Sequence, residues 1–179
     1  MEELVDILDD EGNYTGVIMP KSEAHAKGLF HPTIHVWLYT SKKELLIQQR
    51  ARTKETFPGK WDVSVAGHLS TGETPLEGAL REVEEEIGLQ LTKQDLRLIF
   101  IEKSMKKHGN GIIDAEFHYV FIAKLKVPVT QLTKQVEEVE NLKLILTKHL
   151  LKQMTHPVIK HKYVFHSFEY YKKLIKAIP

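Results

Sequence analysis

The stretch GHLSTGETPLEGALREVEEEIGL, Gly67 to Leu89, constrains this chain more than any other, because the helix inside it is marked at both ends. Thr74 and Glu77 form a capping box, with Pro75 at the first helical position. Gly88 stands where a helix stop belongs. At about 100° per residue, Leu76, Ala79, Leu80, Val83 and Ile87 fall on one apolar stripe, the core face. Glu82, Glu85 and Glu86 gather on a different flank, while Glu84 falls on the far side and reads as solvated. Like charges at this spacing destabilise a helix by about 0.2–0.5 kcal/mol per pair, and a cation removes the repulsion. Hard divalent ions such as Mg2+ prefer oxygen ligands and share them with substrate phosphates. A merely solvated acidic face leaves the Gly67 turn, the capping and the central Arg81 without a reason.

Around this helix the chain alternates strand and turn signals. Leu4 to Leu8 is strand-like and 9–13 is its turn. Ile34 to Thr40 and Glu44 to Arg50 are strand-like runs joined by a hairpin turn at 41–43. Phe57 to Lys60 is a loop, and Trp61 to Ala66 alternates as one strand entering Gly67. Further strands are expected at Leu96 to Ile101, Ile112 to Leu125 and Asn141 to Ile145, with a mobile loop, KKHGNG, between the first two. Thr147 to Met154 and Phe165 to Ile178 read as helices. Strands with interspersed helices, without a repeat or linker, predict the α+β class, a mixed α/β/α sandwich. The expectation is one domain over 1–179: an N-terminal strand and hairpin (1–30), a catalytic core (31–145) and a C-terminal helical segment (146–179).

Composition narrows the functions. A formal net charge of +1 disfavours a nucleic-acid partner. With Cys 0, disulfides, thiol nucleophiles and thiolate metal sites are excluded. No apolar run approaches the roughly 20 residues that span a bilayer. The start MEELVDILDD is acidic where a signal peptide is basic, so the expected location is cytoplasmic, with no membrane partner.

The fixed positions Gly67, Glu73, Arg81-Glu82-Val83, Glu85-Glu86, Gly88 and Leu89 match the Nudix box GX5EX7REUXEEXGU, so the chain resembles the Nudix hydrolase superfamily. The resemblance implies a loop–helix–loop catalytic element and hydrolysis of a small-molecule diphosphate with Mg2+ or Mn2+. By position, Glu85 and Glu86 bind the metal, and Glu82 binds metal or acts as general base. Arg81 pairs with Glu73, and Gly67 belongs to the substrate-binding turn. Many proteins of this fold form homodimers, and the sequence leaves the oligomeric state open.

The segments HAKGLFHPTIHVW, RARTKETFPGKW and SVAGH are similar to a narrower branch, isopentenyl diphosphate isomerase. That similarity implies a further metal set of His25, His31, His68, Asp114 and Glu116; Asp114 and Glu116 share a strand face. It also implies diphosphate contacts at Arg50 and Lys54. Two departures oppose isomerase chemistry: Ala66 stands where the isomerase has its cysteine, and the acidic box is complete. His35, His108, His118, His149, His156, His161 and His166 show no ligand spacing and read as structural. Phe57, Trp61 and Trp37 read as core before base or tail contacts. The leading expectation is a diphosphohydrolase acting on a nucleotide-type or related diphosphate. The alternatives are a diphosphate isomerase and a catalytically silent nucleotide-sensing module.

Overall fold

The computed structural model describes residues 2–179. Its strands are β1 (Leu4–Leu8), β2 (Tyr14–Pro20), β3 (His31–Tyr39), β4 (Glu44–Arg50), β5 (Trp61–Asp62), β6 (Val65–His68), β7 (Arg97–Lys107), β8 (Ile113–Lys124) and β9 (Val139–Leu146). Its helices are α1 (Lys21–Lys27), α2 (Pro75–Ile87), α3 (Thr147–Thr155) and α4 (Phe168–Ala177). β1 and β2 form a separate hairpin. The main sheet runs β5-β4-β3-β8-β7, with β6 added to β3 and β9 to β4. β3 and β8 are parallel, and the other pairings in this sheet are antiparallel. This is the mixed-sheet α/β/α sandwich of the α+β class that the pattern predicts.

Strand alternation assigns the two faces. Ile34, Val36 and Leu38 of β3 pack with Ala79, Val83 and Ile87 of α2 in one core. On the opposite face, Trp37 of β3 and Val120 and Ile122 of β8 pack against Leu150 and Met154 of α3 and Tyr170 and Leu174 of α4. Each fully buried Leu or Ile contributes about 1.5–3 kcal/mol. That second face changes character along its own strands. Upstream of Trp37 come His35, Thr33 and His31, and upstream of Val120 come His118 and Glu116. The parallel register sets His31 beside Glu116 and Thr33 beside His118. One end of the face is dry core and the other is polar.

Several local expectations are corrected. The single strand over 61–66 is two strands broken at Val63 and Ser64. Ser64 Oγ donates to Leu46 O (2.6 Å) and accepts from Leu38 N (2.8 Å), so a side chain replaces the backbone ladder there. The segment after the first turn forms β2 and then α1, which starts after Pro20 and stops at Gly28, whose φ is +62°. Lys106 and Lys107, expected in a mobile loop, extend β7 opposite Asp114 and Ile113. The connection is a tight turn in which His108 N donates to Ile112 O (2.8 Å) and Gly111 takes φ +87°. The last helix begins at Phe168, because the Ser167 side chain caps it by accepting from Tyr170 N (3.0 Å).

Candidate active site

α2 carries the first wall of a cleft of about 400 Å³. The capping box holds its start, with Glu77 N donating to Thr74 Oγ1 (3.3 Å) and Thr74 N to Glu77 Oε2 (3.1 Å). Arg81 organises the acidic flank. It grips Glu73 with Nε and Nη2, both at 2.8 Å, and donates to Glu82 (2.9 Å), Glu85 (3.0 Å) and the His68 carbonyl (3.0 Å). A bidentate guanidinium fixes carboxylates more firmly than an ammonium would. Gly67 has a steric reason: a Cβ there would lie 2.1 Å from Glu82 Cδ, so the missing side chain is the space in which the Glu82 carboxylate sits. The sequence assigned Gly67 to substrate; the structure places Glu82 against it.

The glutamates of α2 differ in environment. Glu85 has a side chain 53% exposed, and Glu84 is exposed with Gln90 Nε2 on it at 3.1 Å. Glu86 is 4% exposed and accepts from Gln48 Nε2 (3.0 Å). Burial, reinforced by the nearby Glu82 and Glu138 charges, pushes Glu86 well above the usual carboxylate range. Glu82 is also raised, by desolvation first, against the opposing pull of Arg81.

The second wall is assembled from distant segments. His25 from α1, His31 from β3, His68 from β6 and Glu116 from β8 place one ligand atom each within 4.8 Å of one another. His25 Nε2 and His31 Nε2 are 3.3 Å apart, and Glu116 Oε1 is 3.4 Å from His68 Nε2 and 3.8 Å from His31 Nε2. Desolvation, then the His68 and His31 rings, lowers His25 to about 4, so its ring nitrogens are free of the extra proton at neutral pH. Asp114 is not brought into this group: it pairs with His108 Nε2 at 2.8 Å. Below lie His35, His118 and His166, which line the same cleft although the sequence read them as structural. His35 stacks on His118 with centroids 4.1 Å apart.

The expected phosphate contacts are already engaged within the chain. Arg50 donates to the Thr56 carbonyl (3.1 and 3.0 Å) and to Asp62 (3.2 Å). Lys54 pairs with Glu138. The cation that sequence reasoning missed is Lys106: it lines the cleft, forms no ion pair among the described residues, and is lowered by burial. Its signal was alternation, since it faces the same side as its register partner Asp114. Phe57 also lines the cleft, with φ +49° and its ring edge-on to His108 at 4.8 Å. Trp37 is core, and its indole donates to Tyr170 OH (2.8 Å).

The donor sets fit divalent cations. Glu82, Glu85 and Glu86 offer oxygen alone, the chemistry of Mg2+ and Mn2+; three imidazoles with Glu116 suit a softer ion. His68 Nε2 is buried without a hydrogen-bond partner, and Glu86 is buried as a carboxylate whose burial opposes its charge. A buried imidazole nitrogen and a buried carboxylate of this kind fit a bound cation as partner.

Comparison with known proteins gives the family and the fold. The chain is 38% identical over 149 residues to Nudix hydrolase 3 of Arabidopsis thaliana, covering 80% of this chain and 19% of that protein. It therefore spans about a fifth of that relative's length. It is 30% identical over 143 residues to an isopentenyl-diphosphate Delta-isomerase of Cutibacterium acnes, covering 78% of this chain and 71% of that one. Its fold superposes on a crystal structure of a Deinococcus radiodurans protein with TM-score 0.65 and 18% identity, covering 85% of this chain and 88% of that one. Among the described residues, no helix is long and apolar enough to cross a membrane. The family model for the NUDIX domain matches residues 29–166, which contain α2 and every strand of the main sheet, and the chain belongs to that family.

Proposed function

We propose that the protein is a divalent-metal-dependent hydrolase that cleaves the P–O–P linkage of a small-molecule diphosphate. The observation that carries this reading is one cleft lined by Glu82, Glu85, Glu86 and Glu116 together with Lys106, a cation without a carboxylate partner among the described residues. Mg2+ or Mn2+ would be held by Glu82, Glu85 and Glu86, with His25, His31, His68 and Glu116 as a second set. The bound cation supplies charge neutralisation for the phosphates and lowers the pKa of water.

The chain's own groups do the rest. Arg81 and Glu73 lock α2 to the Gly67–Ser70 turn, so the acidic flank is preorganised. Glu82, desolvated against Gly67, either completes the metal set or takes a proton from the attacking water. Lys106 grips a phosphate oxygen as a point charge, while Arg50 and Lys54 hold the 50–62 loop and the 135–139 turn, from which Thr56, Phe57, Gln135 and Glu138 line the cleft.

The isomerase reading is favoured by the His25, His31, His68 and Glu116 group and by the named relative. Against it, Ala66 sits in β6 opposite His35 and lines the cleft, where it can neither give nor take a proton. The deciding experiment is incubation with Mg2+ or Mn2+ and a panel of nucleoside diphosphates and triphosphates, ADP-ribose, dinucleoside polyphosphates and isopentenyl diphosphate, with products identified by mass. Cleaved phosphates support hydrolysis; an isomerised alkene at unchanged mass, seen by NMR, supports the second reading. Tight binding without turnover of any member overturns both in favour of a sensing module.

A further inference from the structure

The two outer layers of the sandwich carry opposite charge. Residues 141–179 hold eight lysines, no arginine and one acidic residue, Glu169, a formal +7. The whole chain sums to +1, so residues 1–140 hold −6. The fold turns this split in sequence into a split in space. α2, with five glutamates and one arginine, covers one face of the main sheet, and α3 and α4 cover the other. The near-neutral total therefore conceals a basic layer.

α3 and α4 turn their apolar residues inward, Leu150 and Met154 from one and Tyr170 and Leu174 from the other. Lysines face outward. Lys148 and Lys152 stand one turn apart on α3, and Lys172 and Lys176 one turn apart on α4, all exposed. Like charges at that spacing repel. Among the described residues, only Lys172 and Lys173 of the eight have a carboxylate in ion-pair range, Glu169 at 3.8 Å and Glu102 at 3.4 Å. On the neighbouring β9 edge, Lys143 Nζ lies 3.8 Å from the Trp61 ring centroid. Burial, and then the Lys162 charge, lower its pKa. Apolar rings break the same layer. Phe165 is 37% and Phe168 48% exposed, edge-to-face with centroids 5.2 Å apart, and Lys172 follows Phe168 by one helical turn. Val158, between α3 and the 159–162 turn, is 67% exposed.

We infer that the α3–α4 layer is a docking surface for an anionic lipid bilayer, attracted through its lysines and seated by the Phe165–Phe168 pair. The inference does not depend on the hydrolase reading.

Charge complementarity requires an anionic partner, and the side chains favour one kind. Lysine is a point charge on a flexible stem, suited to a diffuse field of headgroups. The arginine fork, which grips phosphate and guanine edges bidentately, is absent from this segment. Exposed phenylalanines among lysines suit the boundary between headgroups and acyl chains, where rings leave water and ammonium groups stay in it. Crossing a bilayer takes a long apolar helix, but lying on one does not. An anionic surface attracts this layer and repels α2, so the docked molecule has one orientation, with α2 turned away.

Cosedimentation with phosphatidylcholine vesicles, with and without phosphatidylserine, tests this on the wild type and three paired variants. The wild type should pellet only with the phosphatidylserine vesicles, and less so at high salt. Each lysine near such a surface is worth roughly fivefold in partition, so Lys148→Glu with Lys152→Glu should weaken binding by about tenfold or more. Phe165→Ser with Phe168→Ser should weaken it by about tenfold through lost apolar burial. Lys27→Glu with Lys93→Glu makes the same charge change on α1 and beside Glu77 of α2, and should leave binding near the wild-type level. Equal loss in the two lysine variants would show that net charge acts rather than the layer, and overturns the inference. Binding to neither vesicle, or equally to both, overturns it as well. So does tighter binding to single-stranded RNA that falls with Lys148→Glu and Lys152→Glu, which would make nucleic acid the partner. Thermal melting checks that every variant folds, and the two layer variants fail independently of one another.

Discussion

On one wall of the cleft, Glu82 and Glu85 stand beside Arg81 on α2 and are neutralised through explicit ion pairs. On the other, His35, His118 and His166 converge from separate segments, and desolvation holds all three below the ordinary imidazole pKa. The first wall sets Arg81 against Glu82 and Glu85, while burial still raises Glu82 and Glu86; the second discards charge by burial. The walls therefore fail differently. Damage to α2 should appear in turnover with little change in stability, whereas damage beside the histidines should appear in stability and its pH dependence.

Among substitutions that leave every carboxylate of the cleft in place, the largest expected effect is at Gly67. Gly67→Ala puts a methyl where the Glu82 carboxylate sits, and the flexible carboxylate moves before the backbone does. Turnover should fall by about 10²-fold, the scale of a misplacement near 1 Å, with the melting temperature nearly unchanged. A large loss of stability with full specific activity would assign the glycine to folding alone. Next comes Arg81→Lys, which loses the paired 2.8 Å contacts to Glu73 and the bridge to Glu85. A lysine restores charge but not the fork, so turnover should drop by about 10-fold or more, checked by kcat under saturating metal. Unchanged kcat would show that charge, not geometry, is what α2 requires.

On the histidine side, Asp62 is the anchor. Burial alone would raise it, but the His166 ring and the Arg50 guanidinium outweigh that and bring it down to about 2 from 3.8. A folded value below the unfolded one stabilises above pH 3.8, and the gain is lost as pH falls toward 2. Asp62→Asn should therefore cost about 2 kcal/mol in chemical denaturation at neutral pH, and the difference from wild type should vanish in strong acid. A constant cost at all pH values would mean that lost hydrogen bonds, not ionisation, dominate.

The most gradual effect is acid lability. Desolvation lowers His118 to about 3 from 6.5, and His35 and His166 are lowered too, with Lys106 opposing their protonation and Glu116 favouring it. The unfolded chain takes these protons near pH 6.5, so stability is present above that value and declines below it, by up to about 1.4 kcal/mol per pH unit for each ring. Denaturant midpoints between pH 7 and 5 measure this. His118→Phe should flatten the decline; an unaltered slope would show that His118 is not buried neutral.

What could be read in advance follows the same division. α2 is local, so its caps, core stripe and acidic flank all lie within one short stretch, and the fold class followed from the strand spacing around it. The break at Val63 and Ser64 was hidden because it depends on a serine side chain bonding across to β3 and β4. His118 lies two positions beyond Glu116 on the same face, and His35 two before Trp37. Their alternation was visible, but parallel pairing of β3 with β8 across more than 80 residues was not. The same pairing explains Asp114. It shares a face with Glu116, yet the tight turn after β7 brings His108 to it first. Arg50 and Lys54 carried the right charge for phosphate, and only the loop geometry shows that Thr56, Asp62 and Glu138 already occupy them.

The most direct test of metal-dependent hydrolysis at the α2 carboxylates is turnover of the diphosphate panel in heavy-oxygen water by wild type and Glu85→Gln, with folding of both checked by thermal melting. Several kcal/mol of transition-state stabilisation depend on that ligand set. In the wild type, one of the two phosphorylated products should carry one heavy oxygen, only when Mg2+ or Mn2+ is present, and Glu85→Gln should be slower by about 10³-fold at an unchanged melting temperature. Equal turnover by the two proteins, or release that persists without metal, would contradict the assignment.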